Sequence, residues 1–272
     1  MSQLRIGIVG CGAIGSSLAK AIKKGFAAKA QLSALYDIEP AKSAGLAKRI
    51  GSKNLAVNAL QDLIRKSELV VECASAASSR QIARAALSAG RDIMIMSVGG
   101  VVGHCEELSR LAKAAKARVY IPSGAIAGID ALKAAGIGKV RRVTLTTRKN
   151  PVSFRGVKYV ETKGIDLTGL KGDKTLFCGP AKEAVKYFPQ NINVAAVLSL
   201  AGIGAQKTEV RIIASPQAKR NTHEISIESA AGDIFTRVEN VLHPDNPKTS
   251  FLAVLSAIAT LRQILEPVRI GT

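Results

Sequence analysis

The stretch GIVGCGAIG, residues 7–15, constrains this chain more than any other part of it. It follows an apolar run, LRIGIV (4–9), and precedes a helix-period segment, AIGSSLAKAIKK (13–24). Gly10, Gly12 and Gly15 therefore form a G-x-G-x-x-G between a predicted strand and a predicted helix. In a strand–turn–helix unit the first glycine permits a tight turn. The second lets backbone approach a pyrophosphate, and the third lets the helix pack on the strand. The amide groups that open the helix, from Ala13 and Ile14 on, present N–H donors and partial positive charge to phosphate. Asp37 ends the next apolar run, AQLSALYD (30–37), at the distance expected of an acid that bonds ribose hydroxyls. The motif predicts a bound dinucleotide. A carboxylate at Asp37 favours NAD over NADP by repelling a 2′-phosphate, although Lys42 nearby could compensate.

Strand and helix patterns keep alternating to about residue 122. After Glu39-Pro40 a helix is expected, then a short strand at NLAV (54–57) and a strong one at ELVVECA (68–74). SSRQIARAALSAG, RDIMIMSV, EELSRLAKAAKA and RVYIP continue the alternation. Such order predicts a Rossmann-type, doubly wound parallel sheet, so the fold class is α/β. Ligands of that fold bind beyond the carboxyl ends of the strands. The rule nominates Cys73-Ala74-Ser75, Ser97-Val98-Gly99-Gly100 and Pro122-Ser123-Gly124-Ala125, with Ala74 and Ser97 as cofactor contacts.

Beyond residue 123 the pattern changes. A helix over IDALKAAGI precedes an alternating strand, RRVTLTTRK (141–149), and residues 150–173 read as loop. Strands recur at KTLFCG, KTEVRIIA, HEISIES and IFTRVEN, with helices at AKEAVKYF and NVAAVLSLAG. This predicts an α+β second domain. Asn246-Pro247 is expected to open a long C-terminal helix that returns to the first domain. The expected division is 1–123, 124–246 and 247–272, the last being that helix.

Composition narrows the function. Hydrophobic residues make up 47% of 272, enough for a sizeable core, but only 4% are aromatic and Trp is absent, so an aliphatic core is expected. The net charge of +19 could mark a nucleic-acid binder. The cations are scattered in twos and threes, however, and no reading-head motif accompanies them. A basic surface that attracts anionic small molecules is the simpler reading. Cys11, Cys73, Cys105 and Cys178 have no metal or redox spacing and read as reduced thiols of a cytoplasmic protein, with no metal site. The N-terminus lacks a signal-peptide pattern, and no apolar run reaches membrane-spanning length. No nucleic-acid or membrane partner is expected.

RNTHEISIE (220–228) places His223 with Ile225 and Ile227 on one strand face. That position suits either a hydrogen-bonded core histidine or an acid–base group. His104 and His243 read as surface or loop residues. Asn193 reads as the N-cap of an apolar helix.

Taken in order, GCGAIG, VECAS, SVGG, PSGAIAGIDAL, FPQNINVAAVLSLAG, RNTHEI and NPKTS resemble the L-aspartate dehydrogenase family over nearly the whole chain. The one visible departure is SVGG followed by Val101-Val102-Gly103-His104. The resemblance implies NAD(P)-dependent oxidation of L-aspartate to iminoaspartate, which hydrolyses to oxaloacetate and ammonia, in support of NAD biosynthesis. It implies Ala125 and Asn193 as cofactor contacts, His223 as the active residue, and a homodimer. Arg220 and Lys248, flanking two of these motifs, are candidate anchors for the substrate carboxylates or plain solvated cations. Another amino-acid or semialdehyde dehydrogenase, or a non-catalytic NAD-sensing protein, remains an alternative.

Overall fold

In the computed structural model residues 3–188, 193–244 and 246–271 are described, Pro247 and Lys248 by backbone alone. The chain divides into two compact units, Met1–Pro122 with Val254–Ile270, and Ser123–Ala253 with Gly271–Thr272.

The first unit is built on strands β1 (Leu4–Val9), β2 (Ala30–Tyr36), β3 (Leu69–Glu72), β4 (Asp92–Ile95) and β5 (Val119–Tyr120). They form one sheet in the order β2-β1-β3-β4-β5, with every pairing parallel. Strand order reverses at β1, which puts the cleft between the ends of β1 and β3 at the switch point where this fold takes ligands. Helices α1 (Ala13–Gly25), α2 (Pro40–Arg49), α3 (Leu60–Lys66), α4 (Ala76–Ser88) and α5 (Cys105–Ala115) connect the strands. Central strands of a parallel sheet are covered on both faces, and accordingly all four residues of β3 are buried. The segment NLAV is no strand. Residues Lys53–Leu55 form a 3-10 turn, and only Ala56 bridges to Leu35. The run is too short, and too tightly wound at its start, to extend the sheet.

The second unit holds a mixed sheet in the order β10-β9-β6-β8-β7. Its strands are β6 (Val140–Lys149), β7 (Lys174–Pro180), β8 (Glu209–Ala214), β9 (Asn221–Ser229) and β10 (Gly232–Asn240). β6 and β8 pair in parallel and all other neighbours are antiparallel. Alternation sends Val143, Leu145, Ile225 and Ile227 into the core, while Arg142, Arg148, Glu224 and Glu228 line the opposite face as ion pairs. Helices α6 (Ile129–Ala135), α7 (Lys158–Thr162), α8 (Ala181–Tyr187) and α9 (Asn193–Ala201) complete the unit.

Four further expectations change here. Residues 150–173 are not all loop. Asn150 Oδ1 accepts from Val152 N–H at 3.1 Å, a 3-10 turn follows over Pro151–Phe154, and α7 comes next. An all-aliphatic core describes the first unit closely but not the second. There Phe154, Tyr159, Phe177, Tyr187 and Phe188 stack together, with centroids 4.8 to 6.4 Å apart. The Asn246-Pro247 segment opens no helix. It forms β12 (Asn246–Ser250), paired with β11 (Leu242–His243), and α10 starts only at Phe251 and runs to Leu265. The ribbon also buries His243, only 5% exposed and edge-on to Phe251, where a surface residue was expected. Within the first unit α10 contributes Ala257 and Leu261 to the core that contains Ile6, Leu18 and Leu35.

Candidate active site

The glycine turn has the geometry its spacing demands. Gly10 sits at φ +92°, a left-handed conformation that any Cβ would strain, and an added Cβ would also meet the Cys73 carbonyl at 2.5 Å. At Gly15 a Cβ would lie 1.9 Å from the Gly10 carbonyl oxygen, so only glycine lets α1 begin this close to the turn. Gly12 has nothing within 4 Å of where its Cβ would be. It is exposed, with Ala13 and Ile14 half-buried beside it. No side chain caps α1 and no acid stands in its first turn. The open side of the turn is therefore a place for an anion at a helix N-terminus. The residues present fit the phosphates of a dinucleotide.

Asp37 follows the end of β2 and faces the same turn. Its Oδ2 accepts from Cys11 N–H at 2.7 Å and its Oδ1 from Glu39 N–H at 3.0 Å. The carboxylate thus ties the second strand end to the glycine loop, with lone pairs left for hydroxyl groups. Cys11 is buried, and burial with the neighbouring Asp37 charge pushes its thiol up to about 12. It is an inert thiol.

At the end of β3 lies a residue that sequence reasoning passed over. Glu72 is 0% exposed. Its Oε1 accepts from Ala74 N–H at 2.8 Å and its Oε2 from Ser97 N–H at 2.9 Å. One carboxylate thereby holds together the two strand-end segments nominated as cofactor contacts, Ala74 exposed and Ser97 buried. Burial raises the carboxyl of Glu72, while the backbone N–H bonds act to lower it. The available signal was Glu72, a charge inside the otherwise apolar run LVVECA (69–74), because a buried charge needs dedicated partners.

In the second unit His223 is 3% exposed on β9. Its register partners are Thr147 on β6 and Val238 on β10. Thr147 Oγ1 lies 3.0 Å from His223 Nδ1 and orients the ring. Two residues further along β6, on the same face, Lys149 is 8% exposed. Burial, and then the Lys149 charge, hold the imidazole down to about 3, so it is neutral at physiological pH. Burial likewise brings the Lys149 ammonium down to about 8. Sequence reasoning missed both Thr147 and Lys149.

The other candidates divide. Arg220 is not brought to His223. It lines a concavity of about 420 Å³ with Thr222, Arg237 and Glu239. These belong to the sheet face opposite His223, because Arg237 pairs with Glu224 and residues alternate along β9. The side chain of Lys248 lies outside the described residues. Ala125 is buried, and its carbonyl accepts from Asn240 Nδ2 at 3.0 Å, a support that no local pattern announced. Asn193 is the first residue of α9 rather than the residue before it, and 189–192 lie outside the described residues. His104 precedes α5, half-buried, with Nδ1 3.9 Å from Glu107. The four cysteines are free thiols.

Comparison with known proteins places the chain in a family. Residues 130–264 match the family described as aspartate dehydrogenase, C-terminal, and residues 10–122 match the NAD binding domain of homoserine dehydrogenase. The chain is 47% identical to an L-aspartate dehydrogenase of Methanosarcina barkeri and 48% identical to one of Methanocella arvoryzae. Each alignment covers 99% of this chain and 100% of the relative. A solved aspartate dehydrogenase of Thermotoga maritima superimposes with a TM-score of 0.76 at 29% identity, covering 99% of this chain and all of that one. GenD2 of gentamicin biosynthesis, at 14% identity and a TM-score of 0.57, shares the fold alone. Likeness of this extent along the whole chain shows where it belongs: it is a member of the L-aspartate dehydrogenase family.

Proposed function

We propose that the protein oxidises L-aspartate to iminoaspartate with NAD or NADP as oxidant, and that the imine hydrolyses to oxaloacetate and ammonia. The observation that carries the reading is a paired one. An uncapped glycine turn, backed by Asp37, suits a dinucleotide, and a buried histidine on the second sheet is oriented by Thr147 and accompanied by Lys149. When bound, the nicotinamide supplies the hydride acceptor. Gly10, Gly12 and Gly15, with the amides of Ala13 and Ile14, hold its phosphates, and Asp37 its ribose hydroxyls. Glu72 keeps the Ala74 and Ser97 segments in place for that contact. Ala125, braced by Asn240, and Asn193 are further cofactor contacts. Asp37 favours NAD.

His223 acts as a neutral imidazole, because burial keeps it from carrying a proton at working pH. It holds the reacting nitrogen, or the water that attacks the imine, by a hydrogen bond. Among the described residues the cation that acts on this histidine is Lys149 rather than Arg220, which lies on the other sheet face. Lys248 stays a candidate anchor for a substrate carboxylate.

The test is an aspartate oxidation assay read by NADH absorbance with each nucleotide, beside a panel of other amino acids and semialdehydes. Turnover of another substrate in preference to aspartate refutes the substrate assignment, and binding of NAD without any turnover refutes the enzyme. Replacing His223 by Ala should abolish turnover and leave NADH affinity within about threefold. The same reading carries a cytoplasmic homodimer that serves NAD biosynthesis, and light scattering in solution checks the dimer. Among the described residues no helix is long and apolar enough to cross a membrane.

A further inference from the structure

We infer that Lys149 is a catalytic residue of the same reaction, its side-chain amine accepting the proton that the α-ammonium of the amino-acid substrate loses. The inference rests on the reading of the protein as an aspartate dehydrogenase.

The geometry comes first. β6 and β9 pair so that Thr147 stands opposite His223, and period two returns Lys149 to the same face. A lysine with a long flexible stem normally extends into water. This one is 8% exposed at the carboxyl end of its strand, next to a histidine that is 3% exposed. The inward positions of the neighbouring strands are apolar or neutral: Val210, Ile212 and Ala214 on β8, Thr236 and Val238 on β10. Two strands away Lys174 shares the register of Ala214 and donates to the Asp166 carbonyl at 3.1 Å. Arg148 and Glu224, the adjacent charges in sequence, pair with each other on the opposite face. Among the described strand residues on this face, Lys149 is the charged group that acts on His223.

Chemistry then divides the work. Oxidising the amino acid breaks two bonds. The Cα–H bond breaks, and its hydrogen would depart with the electron pair as hydride, for which a bound nicotinamide would be the acceptor. An N–H bond gives its electron pair to the new C=N bond and its proton to a base. A neutral imidazole held near 3 is too weak a base to take that proton near neutrality. A general base works best when its pKa lies near the working pH, and an amine near 8 meets that condition. After transfer the proton rests on Lys149 Nζ, and His223 stays neutral throughout.

The test separates a base from a mere charge. Lys149→Arg keeps a cation that pairs well with carboxylates but cannot be deprotonated. Lys149→Met removes both functions. With aspartate and NAD, both variants should lose about 10²- to 10⁴-fold in kcat, and the basic group that limits the parent near pH 8 should vanish from their pH profiles. NADH binding and thermal unfolding establish that the variants are folded. Lys149→Arg turning over within threefold of the parent would overturn the inference, since charge alone would then suffice. A parent protein inactive on aspartate defeats the substrate assignment instead. Even then, NMR titration of ¹³C-labelled lysine in cofactor-free protein, with Lys149→Met to assign the signal, decides the point. A midpoint near 8 supports the proton acceptor, and an ordinary one near 10.5 refutes it.

Discussion

A lysine retained inside a fold for chemistry should weaken the fold, and the size of that penalty follows from its surroundings. Burial lowers Lys149 from 10.5 to about 8. A difference of one pH unit corresponds to about 1.4 kcal/mol, so holding the charged form in the native state costs about 3 kcal/mol. The sign is fixed by linkage. A folded value below the unfolded one means that the native state binds fewer protons between about 8 and 10.5. Stability is therefore fullest above 10.5, falls as pH drops through that window, and stays low below 8. Lys149→Met keeps the length and apolar stem without the charge. Subtracting about 1 kcal/mol for the polar interactions the ammonium makes, the variant should be about 2 kcal/mol more stable at pH 7. Urea unfolding followed near pH 7, 8.5 and 10 tests this, and the advantage of the variant should shrink as pH rises. A variant no more stable than the parent at pH 7, or an advantage that does not change with pH, refutes the reasoning. Higher stability together with lost turnover would mark Lys149 as retained for function at the expense of the fold.

Other outcomes follow from the same structure. Glu72→Gln leaves one acceptor oxygen for two backbone donors, so it should destabilise the first unit by about 1–3 kcal/mol and weaken NADH binding in calorimetry. Unchanged binding would mean that the strand-end segments hold their shape without Glu72. Gly15→Ala sets a methyl 1.9 Å from the Gly10 carbonyl and should abolish nucleotide binding, whereas Gly12→Ala, with open space at its Cβ, should do so only through contact with the ligand. Asp37→Ser should raise the kcat/KM ratio of NADP over NAD. It should also cost some stability, because the Cys11 and Glu39 amides lose their acceptors. His223 is depressed from 6.5 to about 3, so its contribution to stability is complete above 6.5 and is lost as pH falls toward 3. Parent and His223→Leu should therefore diverge in urea titrations below about pH 6, by up to about 1.4 kcal/mol per pH unit.

The nucleotide half of this protein was legible in its sequence because its determinants are local. Gly10, Gly12 and Gly15 act within one turn: Gly10 takes its left-handed φ, Gly12 leaves the open side clear, and Gly15 lets α1 start against the Gly10 carbonyl. Alternation of apolar strands and helices likewise set the parallel sheet. Where the reading failed, the local pattern was ambiguous. NLAV is apolar enough for a strand but its first two residues lie in a 3-10 turn, and NPKTS resembles a helix start while β11 claims it as a partner.

The candidate site of the second unit was decided by tertiary structure. Period two told that His223 faces inward, but not what meets it there. Thr147 is 76 residues away in sequence, and only the register of β6 against β9 joins them. That register also selects Lys149 over Arg220, because alternation across paired strands puts one cation beside the imidazole and the other behind the sheet. Glu72 and Ser97 meet across 25 residues for the same reason. Spacing within a strand sets a residue's face, whereas its neighbour on that face, and so its charge state, depends on which strand the fold lays alongside.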